Sequence, residues 1–509
     1  MLEAHHWNTL ELPKVLAKLA RYTAFSAGTE LALALEPSTF ADVVAQRLAE
    51  TREARQLLTT RSDIALGGVH DVRELAEHAV RGMRLLPADL LAIRSTLIAA
   101  RDIRRALIKL EAPYPRLAAL AQRLALRESG GLITEIGRCI DENTGEVRDD
   151  ASPELATVRR EVRDVFARVQ DKLRRILNNS RNAPYLQESI ITQRGGRYVI
   201  PIKSDFKGRI PGIIHDQSAS GATVFIEPLS TVELNNKHRE LQLREQHEID
   251  RVLGQLSILV AEDAEPISWC IEALAELDLI LAKAKYADEL DAIEPAIDHG
   301  PLATLRLIQA RHPLLDRQIV VPIDIDPDAK THIVVLTGPN TGGKTVTLKT
   351  AGLMALMTQC GLHIPVGTGS AISLFDEIYA DIGDEQSIEQ NLSTFSAHVV
   401  NLIGFVDRVG PRALVLLDEL GAGTDPAEGS ALARAILDHL KTTGAMTLVA
   451  THYPELKVWA HTTPGATNAS VEFDPETLRP TYKLTIGLPG RSNAFAIARR
   501  LGLNEQIIV

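Results

Sequence analysis

Aromatic side chains are scarce in this chain, at 4% of 509 residues. That scarcity disfavours a β-sandwich and points to helices packed through Leu and Ala. Cysteine is scarcer still, with only Cys139, Cys270 and Cys360 present. Their odd number, wide separation and lack of metal-ligand spacing exclude a disulfide framework and predict reduced core thiols. No uncharged apolar run approaches the ~18 residues of a membrane span. The opening Met1-Leu2-Glu3-Ala4-His5-His6-Trp7 has neither the basic nor the apolar region of a secretion signal. The expectation is a soluble cytoplasmic protein with no membrane partner, in which His5-His6 is a solvated pair rather than a metal site. Positive charge is also in deficit: 55 Lys and Arg stand against 66 Asp and Glu, a net charge of −11. Any nucleic-acid contact must then come from a local basic patch.

The length suits roughly three or four domains. Residues 1–130, within a helical first domain over 1–152, are rich in Leu, Ala, Arg and Glu at helical periods, with Leu10, Leu12, Val15, Leu16 and Leu19 as one stripe. From Pro153 to Leu177 the apolar residues Leu155, Val158, Val162, Val165, Val169, Leu173 and Ile176 step by threes and fours, a coiled-coil seam. A second long helix is predicted over Val232 to Leu259. Between them the period switches to two. Ile190 to Ile202 reads as a hairpin about Gly195-Gly196, and Ile213-Ile214-His215 and Ala222 to Glu227 read as two more strands. Residues 153–260 are therefore an arm with a β tip near 186–228. The tip carries Arg194, Arg197, Lys203, Lys207 and Arg209 against Glu188 and Asp205, a candidate phosphate-contact patch. Residues 261–299 return to helix. From Gly300-Pro301 to residue 509, strand and helix alternate as in an α/β domain.

The chemistry concentrates in that last domain. Gly338-Pro339-Asn340-Thr341-Gly342-Gly343-Lys344-Thr345 is a phosphate-binding loop. The apolar run Ile333 to Leu336 leads into it as a buried strand, and a helix over Thr345 to Gln359 follows, with Gly361 suited to its end. Such a loop aims backbone N–H groups at a triphosphate, and the helix start adds partial positive charge. Lys344 is expected to reach the β- and γ-phosphates of ATP, and the Thr345 hydroxyl to ligate Mg²⁺.

Ala413 to Leu417 is a second buried strand, ending at Asp418-Glu419. Asp418 is placed to hold Mg²⁺ through water, and Glu419 to orient or deprotonate an attacking water. A flexible acidic turn, Gly421 to Asp425, follows. The strand Thr447 to Thr451 delivers His452, a candidate γ-phosphate sensor. The polar segment Ile382 to His398 lies between the two motifs and leads into a helix for which Ser393 is a good N-cap. Its position matches the signature segment of ABC-type ATPases, although it does not read Leu-Ser-Gly-Gly-Gln.

Taken together, the phosphate loop, Ser393-Thr394-Phe395, Leu417 to Asp425 and Thr451-His452-Tyr453 resemble the MutS family of DNA-repair ATPases. Asp381 to Gln390, Leu392 to Ser396, Tyr482-Lys483-Leu484 and Gly487-Leu488-Pro489-Gly490 resemble its bacterial MutS-two branch, over essentially the whole chain. The resemblance implies a multidomain fold: an all-α lever and core, a coiled-coil clamp arm with a β tip, and a P-loop ATPase domain of the ABC type. It implies a homodimer with composite sites, in which Lys344, Thr345, Asp418, Glu419 and His452 come from one subunit and Ser393 acts in trans on the other's γ-phosphate. The implied partner is nucleic acid, either branched DNA, with suppression of recombination, or ribosomal RNA on collided ribosomes that are split.

Two departures qualify the resemblance. Mismatch-repair members begin with a mismatch-reading domain carrying Phe-x-Glu. Here the lever helices begin near residue 10, and Phe225-Ile226-Glu227 sits in the arm, where it reads as core packing. Members of the MutS-two branch continue into a coiled coil and a C-terminal Smr nuclease domain. The chain stops at Val509, so it looks truncated, and endonuclease activity is assigned to no residue here. The alternatives are a nucleotide-locked structural clamp with little turnover and a mismatch-repair type of DNA-binding ATPase.

Overall fold

The computed structural model describes residues 3–61, 66–124, 131–300, 302–338, 342–383, 394–474 and 479–488. The chain divides into two compact units, one of residues 1–66, 103–123 and 272–509, the other of residues 67–102 and 124–271. No helix among the described residues is long and apolar enough to cross a membrane. Cys139, Cys270 and Cys360 are all buried free thiols.

The first unit is built on a six-stranded sheet. Its order is Glu377–Asp381, Ala413–Leu417, Met446–Ala450, Ile333–Thr337, Ala466–Asp474 and Arg479–Ile486. All neighbours run parallel except the last pair. Every residue of Ile333–Thr337, Ala413–Leu417 and Met446–Ala450 is buried, because helices cover both faces of a parallel sheet. Helix Lys344–Gln359 lies in one core with the stripe Leu10, Leu12, Val15, Leu16 and Leu19. The N-terminal stripe thus completes the nucleotide-motif domain instead of packing only with its sequence neighbours. A smaller sheet, ordered Ala296–Asp298, Ala371–Ser373, Leu305–Ala310 and Ile323–Ile325, belongs to the same unit.

The reading of His5-His6 as a solvated pair is corrected. His5 is exposed, but His6 is 3% exposed. Its Nδ1 accepts from the Ala380 N–H at 3.2 Å, and its ring meets Tyr379 and Phe405 edge-on. Burial keeps its pKa below the usual value.

In the second unit, helix Pro153–Leu177 starts where its cap chemistry dictates. Ser152 accepts from the Leu155 N–H at 3.0 Å, and Pro153 occupies the first turn, where no N–H is needed. It runs antiparallel to helix Leu229–Glu262. Arg159 pairs with Glu245 and Arg244 with Glu154, while Lys172 donates to the Ser230 carbonyl. Leu155, Val158, Val169, Leu173 and Leu177 are buried on this seam. A four-stranded antiparallel sheet connects the two helices, in the order Thr192–Arg194, Arg197–Lys203, Thr223–Pro228 and Gly212–Gln217. Gly195 and Gly196 supply the two positive φ angles, +56° and +77°, of its first hairpin turn.

Phe225-Ile226-Glu227 departs from simple core packing. Ile226 is buried, but Phe225 is half-buried beneath the Arg194 guanidinium, 4.2 Å from its ring centroid. Glu227 is a charge at 0% exposure. It accepts from Arg197 at 2.9 and 3.0 Å and from Asn235 at 2.7 Å, and it pairs with His215 at 2.6 Å. The apolar neighbours conceal this network in the sequence, because its partners come from other strands and a helix.

Candidate nucleotide site

Strand Ile333–Thr337 ends at Gly338, and helix Lys344–Gln359 begins at Gly343, whose φ of +96° is a left-handed turn that a side chain would strain. A Cβ at Gly343 would also lie 3.0 Å from the Tyr482 ring. Gly342 is buried. Lys344 folds back over this loop and is 3% exposed, with its Nζ donating to the Gly338 carbonyl at 2.8 Å. Burial lowers its pKa, and the nearby Asp418 and Glu419 carboxylates oppose that shift. Pro339, Asn340 and Thr341 lie outside the described residues.

The neighbouring corner is assembled by the sheet. Asp418 follows strand Ala413–Leu417, and its N–H donates to the Asp381 carbonyl at 2.8 Å. Thr345 Oγ1 donates to Asp418 Oδ2 at 2.5 Å. Asp418 is 6% exposed, and among the described residues its Oδ1 has no hydrogen-bond partner. Burial pushes its pKa up, while the Thr345 bond pulls it down. A buried carboxylate oxygen without a partner is costly unless a ligand completes it. A hard divalent cation bound through oxygen suits the Thr345–Asp418 pair, so the residues present fit Mg²⁺. Glu419 adopts a φ of +50°, a conformation that side chains seldom take and that clusters at functional corners.

His452 is exposed and follows strand Met446–Ala450, which lies between the strands leading to Lys344 and to Asp418. Its ring lies 4.6 Å from that of Tyr453. The glycine-rich turn after Glu419 is held more firmly than a flexible turn. Tyr453 OH donates to the Gly421 carbonyl at 2.7 Å, and Asp425 caps helix Pro426–Thr443 by accepting from Ala427 and Glu428. Ser393 lies outside the described residues, immediately before helix Thr394–Phe405.

The structure separates the five basic residues of the 186–228 tip. Arg194 pairs with Asp216 at 3.0 Å, and Arg197 is committed to Glu227 and to Asn236 at 2.5 Å. Lys203, Lys207 and Arg209 are exposed, and Lys203 makes a long contact of 3.4 Å with the Pro184 carbonyl.

Sequence reasoning missed the Asp381 side chain, which accepts from His398 Nδ1 at 2.9 Å and from Asn401 Nδ2 at 2.8 Å. The i, i+3 spacing of His398 and Asn401 is the available signal. It also missed the place of Tyr482 against the phosphate loop, since the sequence marks that residue only through the family resemblance.

A buried lysine over a strand–loop–helix turn, with a threonine–aspartate pair beside it, has the chemistry to hold a phosphate and a divalent cation. Residues 334–509 match the family model described as MutS domain V. The chain is 49% identical over 505 residues to "Endonuclease MutS2" of Geobacillus sp. (strain WCH70), covering 98% of this chain and 64% of that protein. The proteins of the same name from Thermomicrobium roseum and Symbiobacterium thermophilum are 48% and 49% identical, each over 98% of this chain and over 64% and 62% of their own lengths. The chain is similar to these MutS2 proteins over almost its whole length, and its C-terminal part to MutS domain V. It spans a little under two thirds of the length of these curated relatives.

Proposed function

We propose that this chain is the ATP-hydrolysing, dimerising part of a nucleic-acid clamp of the MutS2 kind. One observation carries the reading: Asp418, buried and held by Thr345, keeps one oxygen without a hydrogen-bond partner among the described residues, beside a buried lysine. That set is electrostatically incomplete, and a triphosphate with Mg²⁺ completes it.

In this reading Lys344 leaves the Gly338 carbonyl for the β- and γ-phosphates of ATP. The loop N–H groups, with Gly338, Gly342 and Gly343 giving room for close approach and Pro339, Asn340 and Thr341 between them, cradle the same phosphates. Thr345 and Asp418 hold Mg²⁺, whose charge offsets that of the phosphates. Glu419 orients the attacking water and receives its proton, and His452 senses the γ-phosphate. The family resemblance supports a homodimer in which Ser393 of one chain reaches the other's γ-phosphate. Closure on ATP and release after hydrolysis then move the arms as a hinge-type switch.

Nucleic acid is assigned first to Lys203, Lys207 and Arg209, which face solvent. Arg194 and Arg197 contribute mainly by holding the tip together, since both carry internal carboxylate partners. The object clamped is branched DNA, with anti-recombination as the outcome, or ribosomal RNA on collided ribosomes in ribosome quality control. The name "Endonuclease MutS2" describes those longer relatives.

The test is ATP turnover by the 509-residue chain, with Glu419→Gln as a trap. The variant should bind ATP, hydrolyse it on the order of 10²–10⁴-fold more slowly and retain its nucleic acid. Sequencing what co-purifies with it separates DNA from ribosomal RNA. A parent chain that binds no nucleotide in the presence of Mg²⁺ rejects the reading. Nucleotide binding without turnover would favour a nucleotide-locked clamp.

A further inference from the structure

We propose that Asp381 is a positioning residue that fastens helix Thr394–Phe405 to the Asp418–Glu419 corner, so that the two respond to nucleotide together. The inference rests on the nucleotide reading above and deepens it.

Asp381 ends strand Glu377–Asp381, the parallel neighbour of the strand that delivers Asp418. Its two functions face opposite ways. The main-chain carbonyl accepts the Asp418 N–H at 2.8 Å, while the carboxylate, on a residue 4% exposed, turns to the helix. There Oδ2 accepts from His398 and Oδ1 from Asn401, so both oxygens are taken by side chains on one face of one helix. A buried carboxylate held this way is stiff, because losing either donor leaves a costly unpaired oxygen.

A second contact meets the same helix at Phe395. Gly423, in the turn that begins at Glu419, has a φ of +87°, which a side chain would strain, and sits close against Phe395. A Cβ there would lie 3.2 Å from both the backbone N and the Cβ of Phe395. The helix is thus touched at His398 and Asn401 through Asp381 and at Phe395 through Gly423. Phe405 anchors its far end, stacked on Tyr379 at 4.6 Å with the rings 10° from parallel. A shift of Asp418 toward a cation, or of Glu419 toward a water, displaces both contacts. The helix must follow, because it is joined to them through hydrogen bonds and a close backbone approach.

The test uses Asp381→Asn, His398→Ala and His398→Gln in the 509-residue chain. Asp381→Asn keeps the size of the side chain but loses one acceptor. His398→Gln keeps a donor that reaches the carboxylate. For Asp381→Asn and His398→Ala, kcat should fall on the order of 10–100-fold while ATP affinity stays within about twofold, and His398→Gln should recover most of the rate. Hydrogen exchange reads the coupling without turnover. In the parent, ATP with Mg²⁺ should slow exchange in both 333–359 and 394–405; in Asp381→Asn only 333–359 should respond. Unchanged kcat in Asp381→Asn and His398→Ala would overturn the proposal. So would a joint fall of rate and affinity with loss of protection at 333–359, which marks a merely structural role. Protection at 333–359 without any response at 394–405 in the parent overturns this inference alone. No protection at 333–359 in the parent overturns the nucleotide reading and this inference with it.

Discussion

Two buried carboxylates in this molecule have opposite surroundings. Glu227, in the four-stranded sheet, is fully enclosed and fully answered by Arg197, His215 and Asn235. Asp418, at the end of a parallel strand, is nearly as enclosed, with Thr345 on one oxygen and, among the described residues, no hydrogen-bond partner on the other. The first is complete within the chain and reads as architecture. The second, in the reading proposed above, is completed by a bound cation. The cations differ in setting as well: Arg197 is held by Glu227 and Asn236, whereas Lys344 is buried with its ammonium on the Gly338 carbonyl and the Asp418 and Glu419 carboxylates nearby. Burial alone does not mark a functional charge, but burial with an unfilled valence does.

The comparison can be broken at the incomplete site first, where effects should be largest. Glu419→Gln should lower kcat on the order of 10²–10⁴-fold in a steady-state assay while leaving ATP bound. Lys344→Ala should weaken ATP binding on the order of 100-fold, measured by titration with a fluorescent nucleotide. At the complete site the effect should be on folding. Glu227→Ala leaves the Arg197 guanidinium without its carboxylate and should destabilise the second unit by about 3–5 kcal/mol in urea unfolding, with nucleotide affinity unchanged.

Histidines sharpen the contrast through pH. Burial holds His312 and His363 at about 4. For His363 the Arg55 guanidinium adds to this, donating to Nδ1 at 3.0 Å. The folded values lie below the unfolded value of about 6.5, so the unfolded chain takes up protons first as pH falls. Stability present above pH 6.5 should therefore be lost between about 6.5 and 4, by about 2 kcal/mol per histidine at pH 5. His363→Gln should remove that share of the pH dependence, read from urea midpoints at pH 7 and pH 5. The smallest expected effect is at the exposed cations. Lys207→Glu with Arg209→Glu should flatten the salt dependence of nucleic-acid binding by about one unit of slope for each phosphate left without its cation, whereas Arg194→Gln should act chiefly through stability.

Much of this is legible in the sequence where the signal is local. The Pro153–Leu177 helix follows from its apolar steps and the Ser152-Pro153 start, and the Gly195-Gly196 turn from its alternating flanks. The phosphate loop announces itself because backbone curvature, ammonium and hydroxyl must be contiguous. What stays hidden is what the sheet brings together. Asp418 meets Asp381 only because the two strands are parallel neighbours, and Asp381 meets His398 only across a strand-to-helix crossing. Glu227 resembles packing in the sequence because its alternation with Val224 and Ile226 masks a network built from three other elements. His6 resembles a solvated residue because an aromatic slot formed by Tyr379 and Phe405 cannot be foreseen from seven terminal residues.

The central claim is that Asp418 is an unfinished carboxylate awaiting a cation and a triphosphate. The direct measurement is calorimetric titration of ATP, with and without Mg²⁺, into the parent chain and Asp418→Asn. Because burial raises its pKa in the folded chain, ionised Asp418 costs stability at neutral pH, so the variant should unfold at a higher temperature without ligand. The parent should gain affinity when Mg²⁺ is added, and Asp418→Asn should show no such gain. An Asp418→Asn chain that binds ATP with the same Mg²⁺-dependent gain as the parent would contradict the account.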